Sequence, residues 1–138
     1  MRITLETNYA IKIVELLAKK GEKTYAKTLS DEGDIPPRFC LKILRKLTSE
    51  GIVTSCKGAK GGYFLSKKPE DITLRDVVEA VEGPLIFSKC QCPDFSCNMP
   101  CNLHGLYLEI TQAICEKLDS YNFGYIAGGC SQECGADK

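Results

Sequence analysis

One change of hydrophobic period constrains this chain more than anything else in it. Up to Gly51 the apolar residues recur at three- and four-residue steps; beyond it they alternate, through Ile52-Val53-Thr54-Ser55-Cys56 and again through Tyr63-Phe64-Leu65, around Lys57-Gly58-Ala59-Lys60-Gly61-Gly62. The first period belongs to amphipathic helices and the second to half-buried strands. Helices therefore give way to a short two-stranded hairpin with a basic, glycine-rich tip. Ahead of it the first helix runs from about Leu5 to Lys19, with Ile13, Val14, Leu16 and Leu17 on its apolar stripe and Gly21 as its stop. A shorter helix around Tyr25 to Glu32 ends in a Gly33-Asp34 turn, and Pro36-Pro37 opens a third helix through Ile43, Leu44 and Leu47. Helix, turn, helix, then hairpin is the winged-helix arrangement, in which the third helix enters the major groove and the wing reaches the backbone or minor groove.

Past Pro69, Thr73 reads as an N-cap with Asp76 three residues on, starting a fourth helix through Val77, Val78 and Val81 to Gly83. A cysteine-dense loop follows, and from about Asn102 a long helix carries Leu103, Leu106, Ile110, Ile114 and Leu118 on one stripe. This last stripe lies beyond the compact unit and needs a partner, which predicts a homodimer built on the long C-terminal helix. The fold class is thus mainly α with a small β-hairpin. It divides into a winged helix-turn-helix domain over residues 1–83, a cysteine-rich loop over 84–104, and a dimerisation helix with a mobile tail over 105–138.

Charge is divided along the same line. Residues 1–68 hold 14 Lys and Arg against 7 Asp and Glu, whereas residues 69–138 hold 4 against 11, so a neutral chain has a positive half and a negative half. The positive half suits phosphate, and double-stranded DNA is the expected partner. On the third helix, Arg38 and Lys42 are placed for guanine edges and Phe39 for either a thymine methyl or the core, while Arg45 and Lys46 are placed for phosphates. In the wing, Lys57 and Lys60 are the candidate backbone or minor-groove contacts. No apolar run is long enough for a membrane span and no leader is visible, so a cytoplasmic location is expected, without membrane contact. No grouping of nucleophile, base and orienting residue exists outside the cysteine segment, which argues against an enzyme.

In a reducing compartment, nine cysteines point to metal or redox chemistry rather than to a disulfide framework. Five soft or borderline donors fall within fifteen residues: Cys90, Cys92, Cys97, Cys101 and His104, the last two sharing a face at the start of the long helix. Thiolates and imidazole suit an iron-sulfur cluster first, and zinc or free thiols as alternatives; spacing alone does not separate iron from zinc. Cys40, Cys56 and Cys115 sit within periodic elements and read as core or near-core residues, and Cys130 with Cys134 forms a weak pair in the tail.

Taken together, Arg2-Ile3-Thr4 leading to Tyr9-Ala10, the stretch Ile35 to Leu47, the wing Lys57 to Tyr63, and the run Ile72 to Gly83 resemble the IscR/NsrR/CymR family of winged-helix regulators over nearly the whole chain. The cysteine loop ending in Cys101-Asn102-Leu103-His104 is similar to the cluster segment of the IscR branch. The resemblance implies a dimeric transcription factor, usually a repressor, whose affinity for an operator depends on cluster state and so on iron-sulfur, redox or nitric oxide status. It implies Cys92, Cys97, Cys101 and His104 as ligands, with Cys90 as a substitute for Cys92. It also implies a 2Fe-2S cluster ahead of a 4Fe-4S one, readily lost in air. Base readers fall by position on Arg38, Phe39 and Lys42, and Lys57 takes a wing position where the family commonly has arginine. The rival readings are a zinc- or thiol-based, cluster-free regulator of the same fold and, more distantly, a redox or electron-carrier protein.

Overall fold

The computed structural model describes residues 3–92, 94–96 and 101–128. Helix α1 (Leu5–Lys20) starts where the Thr4 hydroxyl accepts the Thr7 N–H at 3.3 Å and ends at Gly21, whose φ of 63° is the left-handed turn that glycine adopts without a Cβ clash. Helix α2 (Ala26–Gly33) turns at Asp34, also left-handed, into α3 (Pro37–Ser49), which begins on proline as the sequence predicts. Strands β1 (Val53–Cys56) and β2 (Gly62–Leu65) pair antiparallel with Val53 opposite Leu65 and Cys56 opposite Gly62. The hairpin is anchored close to its tip, because Thr24, between α1 and α2, and Tyr63 exchange N–H···O bonds, each of 2.9 Å. Helix α4 (Leu74–Glu82) has the expected capping box of Thr73 and Asp76. A 3-10 turn at Lys89–Gln91 then leads towards α5 (Leu103–Asp119).

Ala10, Ile13, Val14 and Leu17 of α1, Leu29 of α2, Ile43, Leu44 and Leu47 of α3, and Val77 of α4 close into one core. Cys40 and Cys115 are buried and Cys56 is half-buried. Burial pushes the Cys40 thiol up, away from the thiolate form a metal needs. At the top of the core, the hydroxyls of Thr4 and Thr7 donate to Glu82, which joins α1 to the end of α4 and holds the carboxyl below its ordinary value.

The structure adds an element absent from the sequence reading. Helix α6 (Phe123–Ala127) is capped by Asn122, whose side chain accepts the Tyr125 N–H at 2.9 Å, and it packs on α1 and on the 3-10 turn Pro69–Asp71. Phe123 is fully buried in the core. The backbone is stitched at the same place: the Leu74 N–H donates to Tyr121 O at 2.8 Å and the Phe123 N–H to Ile72 O at 2.9 Å. Arg75 adds a clamp, bonding Asp119 at 3.0 Å and Glu79 at 3.2 Å. The long helix therefore does not stand apart from the compact unit; its C-terminal end is fastened to the start of α4. Among the described residues, no helix is long and apolar enough to cross a membrane.

Phe123→Ala would leave a cavity at the centre of this junction. It should lower unfolding free energy by about 3–5 kcal/mol in equilibrium denaturation. A loss below about 1 kcal/mol, the size of an ordinary substitution, would mean that α6 is not part of the cooperative core.

Candidate functional site

Two regions carry the chemistry, a basic helix with its wing and the cysteine-rich segment leading into α5. Burial of Cys40, Ile43, Leu44 and Leu47 sets which side of α3 faces inward. The opposite side presents Arg38, Leu41, Lys42 and Arg45, all exposed. Arg38 and Arg45 make no ion pair with any described residue, so their donors are available. Lys46 lies on the flank towards α1, half-buried, with its ammonium 3.0 Å from Glu6 Oε1; Lys42 Nζ stands 3.6 Å from the same oxygen. Phe39 is on that flank too, 42% exposed with its ring centroid 6.1 Å from that of Tyr9. It is therefore not a core residue. Leu41 is 44% exposed among the basic residues and lines a groove of about 390 Å³ with Ala26, Lys27, Ser30, Asp31 and Pro37.

The wing tip places Lys57 and Lys60 in solvent on a tight turn, closed by the Gly61 N–H donating to Gly58 O at 2.9 Å. Glycine is needed at 61 for space: a Cβ there would lie 2.6 Å from Cys56 O and 2.8 Å from Gly58 O, both backbone atoms. Tyr25, at the cap of α2, donates its hydroxyl to Ala59 O at 3.1 Å and so holds the tip near α2. No local sequence signal points to Tyr25, because the bond spans thirty-four positions.

In the second region, Cys90 and Cys92 are half-buried on either side of Gln91. Gln91 Oε1 accepts the N–H groups of Phe87 at 2.7 Å and Ser88 at 3.0 Å, and its Nε2 donates to Thr111 Oγ1 of α5 at 3.0 Å. The Phe87 ring stacks at 5.3 Å on Tyr107, also of α5. These ties fix the Cys90–Cys92 segment to the long helix. Cys101 and His104 are exposed at its start, and the Leu103 N–H donates to Cys101 Sγ at 3.3 Å. The donors present, thiols and one imidazole, fit a soft-ligand metal site in chemistry. Cys97 lies outside the described residues, as do Cys130 and Cys134. Among the described residues, no three Cys, His, Asp or Glu side chains are brought together as a metal-holding group.

The apolar stripe of α5 divides in two. Leu103, Leu106 and Ile110 are 48%, 50% and 40% exposed. Ile114 and Leu118 are half-buried instead, in a cleft of about 270 Å³ shared with Ile3, Val78, Pro84, Leu85 and Ile86.

Comparison with known proteins gives a consistent result. The family described as "Rrf2: Iron-dependent Transcriptional regulator" matches residues 3–128. The chain is 30% identical to the protein aau3 of Rhizobium meliloti over 125 residues, covering 88% of this chain and 81% of that one. The solved structure of CymR (YrzC), titled the global cysteine regulator of B. subtilis, superposes with a TM-score of 0.76 at 26% identity, covering 93% of this chain and 97% of that one. T. potens IscR superposes with a TM-score of 0.71 at 22% identity, over 96% and 94% of the two chains, which is a likeness of fold.

Gly61→Ala should disrupt the wing tip while leaving the helices intact. In fluorescence anisotropy its duplex affinity should fall, whereas Lys60→Gln should only flatten the salt dependence by about one phosphate contact. Unchanged duplex affinity for Gly61→Ala, with an unchanged circular dichroism spectrum, would contradict a wing contact.

Proposed function

Because this chain belongs to the Rrf2 family of transcriptional regulators, we propose that it is a homodimeric, operator-binding repressor whose DNA affinity is set by an iron-sulfur cluster. The observation that carries the reading is the exposed face of α3, where unpaired Arg38 and Arg45 stand beside Lys42, with a second basic element at the Lys57 and Lys60 wing tip. In this reading Arg38 and Lys42 reach base edges near the N-terminus of α3, and Arg45 with the wing lysines meets phosphates. The relatives are regulators, and the chain is a regulator rather than an enzyme.

Cys92, Cys97, Cys101 and His104 would hold the cluster, with Cys90 in reserve; three thiolates and one imidazole suit the 2Fe-2S type. When bound, the cluster supplies a redox- and nitric-oxide-sensitive centre. The chain's own part is mechanical. Gln91 and Phe87 attach the Cys90–Cys92 segment to Thr111 and Tyr107, so drawing Cys92 towards Cys101 and His104 orders the loop against the first half of α5. The exposed Leu103, Leu106 and Ile110 support a second copy on that same half of the helix, where their burial would contribute as in a homodimer core. Ligation beside that seam would then set the spacing of two α3 helices on the duplex.

A second reading, a thiol-based regulator without a cluster, is favoured by the separation of the described donors and by the likeness to a structure titled as a cysteine regulator. Anaerobic purification decides between them. The proposal expects iron and sulfide with visible absorption, and an operator affinity that changes when the metal is removed. Absence of iron and sulfide, or equal affinity with and without metal, would contradict it.

A further inference from the structure

The ion pairs of the basic helix point to a role for a residue on a different helix. Glu6 lies in the first turn of α1 and faces α3 rather than solvent. Its Oε1 is shut off from solvent and accepts no hydrogen bond, so its compensation is the charge of the two ammonium groups, at 3.0 Å from Lys46 and 3.6 Å from Lys42. Lys42 and Lys46 are one helical turn apart, which is why a single carboxylate oxygen meets both. Tyr9, one turn further along α1, stands against Phe39 in the same antiparallel seam. The turn of α1 that carries Glu6 is tied to α4, since Thr4 and Thr7 on either side of it donate to Glu82.

We propose that Glu6 is a positioning residue of the DNA interface. It occupies on Lys46, and in part on Lys42, the place a phosphate oxygen would take. The inference rests on the DNA-binding reading of α3. A carboxylate oxygen and a phosphate oxygen are equivalent acceptors for an ammonium group, and a lysine held by one is not offered to the other. The free protein therefore presents Arg38 and Arg45 at full charge while one of the two positive charges on the flank is offset from within. Backbone-driven binding, which depends on the number of phosphates neutralised, is weakened by about one contact. Base reading by Arg38, which is unpaired, is untouched, and Lys42, at 3.6 Å from Glu6 and 58% exposed, is held far less closely than Lys46. Glu6 thus raises the share of affinity that depends on sequence.

The test compares the full-length wild type with Glu6→Gln, Lys46→Met and the double variant on a duplex of arbitrary sequence, titrating salt from about 50 to 200 mM. Glu6→Gln should steepen the slope of log affinity against log salt by about 0.9, the value of one phosphate contact on duplex DNA. Lys46→Met should match the wild type, and the double variant should lose most of the gain. A Glu6→Gln slope equal to wild type, or a gain just as large without Lys46, would overturn the proposal. Should Glu6→Gln not fold, the Lys46 ammonium resonance of the wild type is followed instead. It should keep its position when duplex is added at low salt, because Glu6 holds it, and a shift would show Lys46 meeting phosphate in the wild type and would overturn the proposal. A wild type that binds no duplex at low salt refutes the DNA-binding reading itself, an outcome distinct from a binding protein whose slope ignores Glu6.

Discussion

The arrangement depends on one short junction, where the chain after α5 returns to pair with the segment that starts α4. Two backbone hydrogen bonds, Leu74 to Tyr121 and Phe123 to Ile72, run beside a phenylalanine ring sealed in the core. Unpaired amides there would be costly, because the bonds lie against buried apolar residues. Since α4 in turn contacts α1 and α3, the long helix is rigidly referenced to the helix that would read DNA. Its seventeen residues carry that reference about 25 Å, to the end where Cys101 and His104 stand. A helix fixed at one end and ligated at the other can transmit a change of metal state as a change of angle.

Electrostatics follows the same geometry. The amino-terminal half carries the excess of lysine and arginine, but the structure does not present it uniformly. Lys20 pairs with Glu32, Lys19 with Glu15, and Lys46 with Glu6, whereas Arg38, Arg45 and the wing lysines, like Lys23, Lys27, Lys67 and Lys68, are exposed and make no ion pair with a described residue. Surface pairs of this kind contribute little to stability, about 0–1 kcal/mol each. On the proposed reading of α3, the pair that bears on binding is that of Lys46, whose neutralisation would remove about one phosphate contact.

Much of the fold was legible because the decisive signals are local. Pro37 at a helix start, Thr73 with Asp76, and the glycines around Lys60 each state their own conformation within four or five residues. Helix α6 was not, since five residues give no periodicity and Phe123 stands beside Gly124 in a stretch resembling a loop. The stripe of α5 was legible as apolar but not as two faces; Ile114 and Leu118 turn inward only because α4 and Ile86 lie there. In the candidate site, residue types on α3 and in the wing were readable, whereas the ion pair of Glu6 with Lys46 crosses forty positions and leaves no local mark. The roles of Gln91 and Phe87 were hidden for the same reason, their partners being one or more helical turns into α5. Cysteine spacing gave donor chemistry, which several metals satisfy.

Native-state hydrogen exchange at two amides tests the junction most directly. If α5 is referenced to the winged-helix core as described, the Leu74 and Phe123 N–H groups should exchange only through global unfolding, as slowly as the innermost amides of α1 and α3. Exchange of these two through a lower-energy local opening, while α1 and α3 stay protected, would show α5 and α6 coming away independently and would contradict the account.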